Sequence, residues 1–94
     1  MNKNMILSEQ SIDLLQEWNA KVECAVTPEY ALDSTKATQV DEKFNGMHWS
    51  RIHRRTNGDL ILEERQKGSF SPSAWLIKQD FTELENSLHG RNVA

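Results

Sequence analysis

Apolar residues recur at helical spacing from Ser8 to about Cys24. Leu7, Leu14, Trp18, Val22 and Ala25 fall on one side, with Ser11 and Leu15 beside them. Glu9, Asp13, Gln16, Glu17 and Lys21 take the other side. This is the pattern of an amphipathic helix whose apolar stripe is core rather than a cofactor contact. Ser8 suits its N-cap, and Glu9 suits the positive end of its dipole. Thr27-Pro28-Glu29 reads two ways: as a helix start with Pro at the first position, or as a break after which Tyr30, Leu32 and Ser34 alternate along a strand. Residues 35–43 carry only Ala37 and Val40 as apolar positions and read as an exposed loop.

A hairpin follows from Phe44 to Gln66. Asn57-Gly58 is a turn dipeptide between two strand-like runs, one with Met47, Trp49 and Ile52 and one with Leu60, Ile61 and Leu62. A two-residue turn would pair Thr56 with Asp59. A type I turn with Gly58 as a bulge shifts the pairing by one and places Ile52 with Leu60 and Leu62, leaving Arg51, His53 and Arg55 toward solvent. The second register gives the cleaner apolar face and is preferred, because a one-residue slip moves every side chain to the other face. Further on, Ala74, Ile77, Phe81, Leu84 and Leu88 are spaced 3, 4, 3 and 4, which predicts one long helix with Ser71-Pro72 at its start and His89-Gly90 at its end. A competing pattern makes Ala74–Lys78 a strand and starts the helix at Asp80, with Glu83 completing a capping box.

The chain has 94 residues, enough for one domain: residues 8–89, with 1–7 and 90–94 as flexible ends. A charged fraction of 27% and a hydrophobic fraction of 37% describe a globular domain rather than a disordered segment. No apolar run approaches the ~18 residues of a membrane span, and the first residues are too short on apolar content for a signal peptide. With one cysteine, Cys24, no internal disulfide can form, and Cys24 suits a small core or partly buried position. An intracellular protein, cytoplasmic or nuclear, is expected. The net charge of −3 is uneven: residues 1–43 hold eight acidic and four basic side chains, residues 44–94 six and seven. A wholly nucleic-acid-binding surface is excluded, and a local basic patch is not.

Candidate chemistry is sparse. His48-Trp49-Ser50 has the His-x-Ser form of two-histidine phosphoesterases, but no second copy exists. Cys24, His48, His53 and His89 lack the spacing of a metal set, and no Gly-rich phosphate loop is present. Glu63 and Glu64, opposite the arginines, suit cross-strand ion pairs. No catalysis, cofactor, metal or small-molecule substrate is expected. Arg51, His53, Arg55 and Arg65 form a basic ribbon whose competing explanations are a solvated face, a protein contact and nucleic acid.

Taken together, several local motifs resemble the double-stranded-RNA-binding domain over roughly Ser11 to Leu88. Leu14-Leu15-Gln16-Glu17-Trp18, with Lys21 a turn later, is similar to that family's first helix. Pro28-Glu29-Tyr30 is similar to the motif opening its first strand, and Asp41, Lys43 and Phe44 to the Asp-x-Lys-Phe start of its second. The resemblance implies an α+β fold of order α-β-β-β-α, a three-stranded antiparallel sheet with both helices packed on one face. It also resolves Pro28 in favour of a strand and implies a core that includes Leu14, Leu15, Trp18, Tyr30, Leu32, Ile77, Phe81 and Leu84. Family members bind duplex RNA by shape across two minor grooves. The positions here that match their contacts are Glu17, Lys36, Thr38, Gln39, Lys43, Lys67, Ser71 and Lys78. The family's lysine-rich start of the last helix is replaced by Ser69-Phe70-Ser71-Pro72-Ser73-Ala74, and Gly-Pro and His are missing from the loop at Ala37-Thr38-Gln39-Val40. Phosphate contacts supply most nonspecific affinity. The resemblance therefore implies a divergent module of an RNA-processing or RNA-silencing protein that acts through a protein partner or a homodimer, with weak or no duplex RNA binding. The alternatives are a genuine duplex-RNA-binding domain and an unrelated small regulator or inhibitor.

Overall fold

The structure, a computed structural model, describes residues 7–69 and 71–82. The chain runs α1 (Glu9–Trp18), β1 (Ala20–Ala25), α2 (Pro28–Ala31), β2 (Ala37–Phe44), β3 (His48–Arg55), β4 (Leu60–Gln66) and β5 (Ser73–Gln79). All pairings are antiparallel, and the sheet order is β1-β5-β4-β3-β2. Strands β2 to β5 form a meander, and β1 returns beside β5. The α+β class holds. The three-stranded α-β-β-β-α sheet does not: among the described residues five strands form, with β1, β2 and β5 unexpected and the strand expected at Tyr30 absent, each for a local cause.

Helix α1 begins as its sequence suggests. Ser8 is extended and its Oγ accepts the Ser11 N–H at 3.2 Å. The helix stops at Trp18 rather than near Cys24, because Asn19 takes the left-handed conformation (φ 51°, ψ 48°) and its N–H closes onto the Gln16 and Leu15 carbonyls. Asparagine is among the few residues that tolerate that conformation. Ala20 and Val22 then alternate with Lys21 and Glu23 as a strand. Val22 satisfies a helical period counted from Leu14 and Trp18 and a strand period counted from Ala20, so spacing alone ran the helix on. Cys24 is exposed on this edge strand, not buried.

At Pro28 the helical alternative forms. α2 is a single turn that buries Ala31, and the expected strand over Tyr30 and Leu32 is absent. Asp33 ends the turn by accepting the Thr35 N–H at 2.9 Å and its hydroxyl at 2.7 Å. Tyr30, expected in the core, is 70% exposed. The stretch read as a loop is β2. It is an edge strand hydrogen-bonded to β3 alone, with a register shift between Gln39 and Asp41. Edge strands carry polar residues and bulges that discourage further pairing, so low apolar content does not argue against one.

The hairpin takes the bulged register. Gly58 has φ +97°, its N–H donates to the Arg55 carbonyl at 2.8 Å, and Arg55 N–H donates to the Asp59 carbonyl at 2.8 Å. Ile52 therefore pairs with Leu62 and Arg54 with Leu60. A Cβ on Gly58 would meet nothing within 4 Å, so Gly58→Ala is opposed by backbone conformation alone. The expected cost is about 1 kcal/mol, read as a lower urea midpoint with unchanged slope. A variant at or above wild-type stability would contradict the turn geometry.

The predicted long last helix is also corrected. Ala74-Trp75-Leu76-Ile77 lies in β5, a central strand, where both faces are covered and a continuous apolar run is normal. This matches the competing strand over 74–78. Asp80 accepts the Thr82 N–H at 2.9 Å, and those bonds together with Lys21 bring its carboxyl down to about 2. Glu83, Leu84, Leu88, His89-Gly90 and the ends 1–6 and 90–94 lie outside the described residues; Leu7 packs on the core.

The core has two layers. Leu14, Ile52, Leu60, Leu62 and Ile77 form the larger, with Leu15, Trp18, Val22 and Trp75 packed around them. Ala31, Ile61 and Ala74 form the smaller, flanked by Val26, Leu32 and Leu76. Leu60 and Leu62 point to α1 and Ile61 to α2, so the helices lie on opposite faces, not on one. Phe81, expected in the core, is 42% exposed. No helix among the described residues is long and apolar enough to cross a membrane.

Candidate functional site

Alternation along β2, β3 and β4 sends two different residue sets to the two faces. The α1 face receives a hydroxyl network at the helix start. Ser50 Oγ lies 2.7 Å from Ser11 Oγ and 3.1 Å from Ser8 Oγ. Glu64 accepts the Ser8 N–H at 2.8 Å and the Ser11 hydroxyl. Ser11 and Ser50 are fully buried, so the network fastens α1 to β3 and β4 and offers no exposed nucleophile. Glu64 therefore does not face the arginines as its sequence position suggests.

On the opposite face α2 covers β4, β5 and the Arg55 end of β3, and leaves β2 and the start of β3 uncovered. Cross-strand rows place Phe44 beside Trp49 and Arg65, Glu42 beside Arg51 and Glu63, and Gln39 beside His53 and Ile61. The four candidate contacts Arg51, His53, Arg55 and Arg65 all lie here, but they are not a free basic ribbon. Glu63, 3% exposed, sits among three of them. Its Oε1 is 2.9 Å from His53 Nε2 and 3.8 Å from Arg51 Nη1, and its Oε2 accepts from Arg65 Nε at 3.2 Å. Burial pushes the Glu63 carboxyl up, but hydrogen bonds from His53 and Arg65 and the charge of Arg51 outweigh it and hold the carboxyl below its ordinary value. Arg51 also donates to Glu42 at 2.6 Å.

Arg55, expected toward solvent, is 8% exposed. Its Nη1 donates to the Tyr30 and Ala31 carbonyls at 2.8 and 3.0 Å, closing the end of α2 where carbonyls lack partners. Tyr30 stacks over its guanidinium at 4.4 Å. At the other end of the face, Phe44 stacks on Trp49 (centroids 4.6 Å apart, planes 13° apart), and Arg51 lies 5.7 Å from the Trp49 centroid. Phe44 and Met47 are each 50% exposed. Sequence reasoning assigned Phe44, Tyr30 and Trp49 no contact role. The available signal was period 2: Trp49 shares its face with Arg51, His53 and Arg55.

The positions matched to RNA contacts are dispersed. Glu17 and Lys43 meet in an ion pair of 2.8 Å, next to the Trp18 indole N–H bonded to Asp41 at 2.7 Å. Two of the three motifs quoted for the resemblance thus clamp α1 to β2. Thr38 and Gln39 are adjacent on β2, opposite Arg54 and His53, and so lie on different faces. Lys36 precedes β2. Lys67 and Ser71 lie in the β4–β5 connection, and Lys78 pairs with Lys21 at the far side of the sheet. No helix start brings Lys67, Ser71 and Lys78 together. Among the described residues no group of three His, Cys, Asp or Glu side chains could hold a metal. No family model matches the chain, and no curated protein and no solved structure resembles it at a significant level.

Proposed function

We propose that the chain is a small protein-interaction module that binds an acidic protein partner through the open β2–β3 face. One observation carries this: the uncovered strip of sheet lies between two aromatic–arginine stacks, Phe44–Trp49–Arg51 and Tyr30–Arg55. Aromatic residues, methionine and arginine are the types enriched where interfaces concentrate binding energy. Rigid stacks also lose little side-chain freedom when a partner covers them. On the strands alone Arg51, Arg55 and Arg65 outnumber Glu42 and Glu63 by one, an excess that Glu29 of α2 offsets at the groove end, so the preference for an acidic partner is local to Arg51 and Arg65.

Phe44→Ala tests the reading, since Phe44 is half exposed and contributes little to the core. Partner retention in affinity capture should fall roughly tenfold. Ile12→Ala, at an exposed position of α1, should leave it unchanged. Equal losses would sink the assignment of this face. In parallel, a ~20-base-pair RNA duplex should show no micromolar binding at ~50 mM salt. Micromolar binding that collapses by ~200 mM salt would replace the protein reading with a phosphate-binding one.

A further inference from the structure

A groove continues the open face beyond Arg65. It is lined by Pro28, Glu29, Leu32, Arg65, Ser71 and Pro72 and has a volume of about 470 Å³. Pockets of that size hold a side chain or a small ligand, and most combine apolar walls with a few placed polar groups. Here Pro28, Leu32 and Pro72 are the apolar walls and Arg65 is the placed group.

Arg65 is held from one side. Its Nε donates to Glu63, which His53 and Arg51 fix in turn. Its terminal nitrogens meet no acceptor among the described residues. The Ser71 hydroxyl, exposed beside it, likewise makes no hydrogen bond to a described residue. A guanidinium oriented by a buried carboxylate, with its outer N–H groups still available, is suited to take a carboxylate in two parallel hydrogen bonds. Arg65 also stands in the same cross-strand row as Trp49 and Phe44. The row runs from an aromatic stack, over a cation, into an apolar groove.

We infer that this groove takes an acidic side chain flanked by aliphatic residues, presented by an extended segment of the partner, with its carboxylate on Arg65 and its aliphatic neighbour against Pro28, Leu32 and Pro72. The inference rests on the proposed protein-binding role of the face. Charge complementarity selects the occupant: a neutral apolar segment would leave the Arg65 N–H groups covered and unpaired. Glu29, exposed and also lining the groove, opposes a second carboxylate.

The full chain, labelled with nitrogen-15, is titrated with acetyl-Phe-Leu-Glu-Leu-amide and with the same peptide carrying glutamine for glutamate. Amide shifts are expected at Leu32, Ser71 and Trp49, with a shift of the Arg65 Nε–H, and the glutamine peptide is expected to bind at least tenfold more weakly. Arg65→Ala should erase the difference between the peptides. Arg65→Lys, which keeps the charge without the fork, should retain part of it. Glu29→Gln should tighten the acidic peptide two- to threefold. Equal binding of the two peptides, shifts confined to the α1 face, or no binding at millimolar peptide would overturn the groove. The two proposals separate cleanly. A partner lost by Phe44→Ala with no preference between peptides removes the groove alone. An acid-specific groove with partner capture indifferent to Phe44→Ala removes the wider face alone.

Discussion

Glu63→Gln should cost about 3 kcal/mol at neutral pH, a large part of the stability of a domain this size. The carboxylate is 3% exposed and, among the described residues, is the one anion that His53 and Arg65 share, while Arg51 keeps Glu42 as a second partner. Removing its charge leaves the Arg65 guanidinium without its carboxylate and the His53 ring without its charged hydrogen-bond partner. Glutamine fills the volume, so the loss measures charge rather than a cavity. The effect depends on pH in a fixed direction. The folded carboxyl titrates below its ordinary 4.5, so its stabilisation is fully present above that value and is lost as the pH falls through the folded one. Urea denaturation of both proteins should therefore show a constant gap from pH 7 to about 5 that closes at lower pH. Equal stability at pH 7 would mean that the arginines are solvated independently and that Glu63 does not organise the face.

The hairpin was legible because its information is local. Asn57-Gly58 admits few turns, and only the bulged register collects Ile52, Leu60 and Leu62 on one side. The start of α1 was legible for the same reason. The rest depended on neighbours distant in sequence. Val22 fits two periods at once, and the stop at Asn19 is secured at the end of β5, where the N–H of Asp80, just past the strand, donates to the Asn19 carbonyl and the Gln79 side chain donates to that of Trp18. β2 carries little apolar residue because it is an edge, and an edge is defined by the whole sheet. β5 reads as a helix because a strand covered on both faces loses its alternation.

The site shows the same division. Period 2 correctly put the arginines on one face, but it could not show that α2 crosses above Arg55 or that Glu63 is buried between the others. Charge that looked available to a ligand is mostly spent inside the protein. The resemblance had a similar origin. Two of its motifs are real contacts, Glu17 with Lys43 and Trp18 with Asp41, and they hold a helix to an edge strand in a fold other than the one those motifs implied.

The two faces should also differ in energy, and Leu14→Ala against Tyr30→Ala measures by how much. Leu14 is fully buried and is the one aliphatic side chain of α1 at the centre of the larger core layer. Truncation leaves a cavity between α1, Ile52 and Leu62, and the expected loss is about 3 kcal/mol. Tyr30 sits on the other face, 70% exposed, and its ring contributes a stack on Arg55 that is also held by two carbonyls. Its removal should cost about 1 kcal/mol or less. A three-stranded sheet with Tyr30 in its core would require comparable losses at both positions, so thermal or urea denaturation of the pair separates the architectures directly. A small loss at Tyr30 carries a functional consequence as well. A large aromatic ring that the fold scarcely needs, held rigid on an arginine beside an uncovered sheet, is available to a partner, and Tyr30→Ala should then weaken partner capture by more than it weakens the fold.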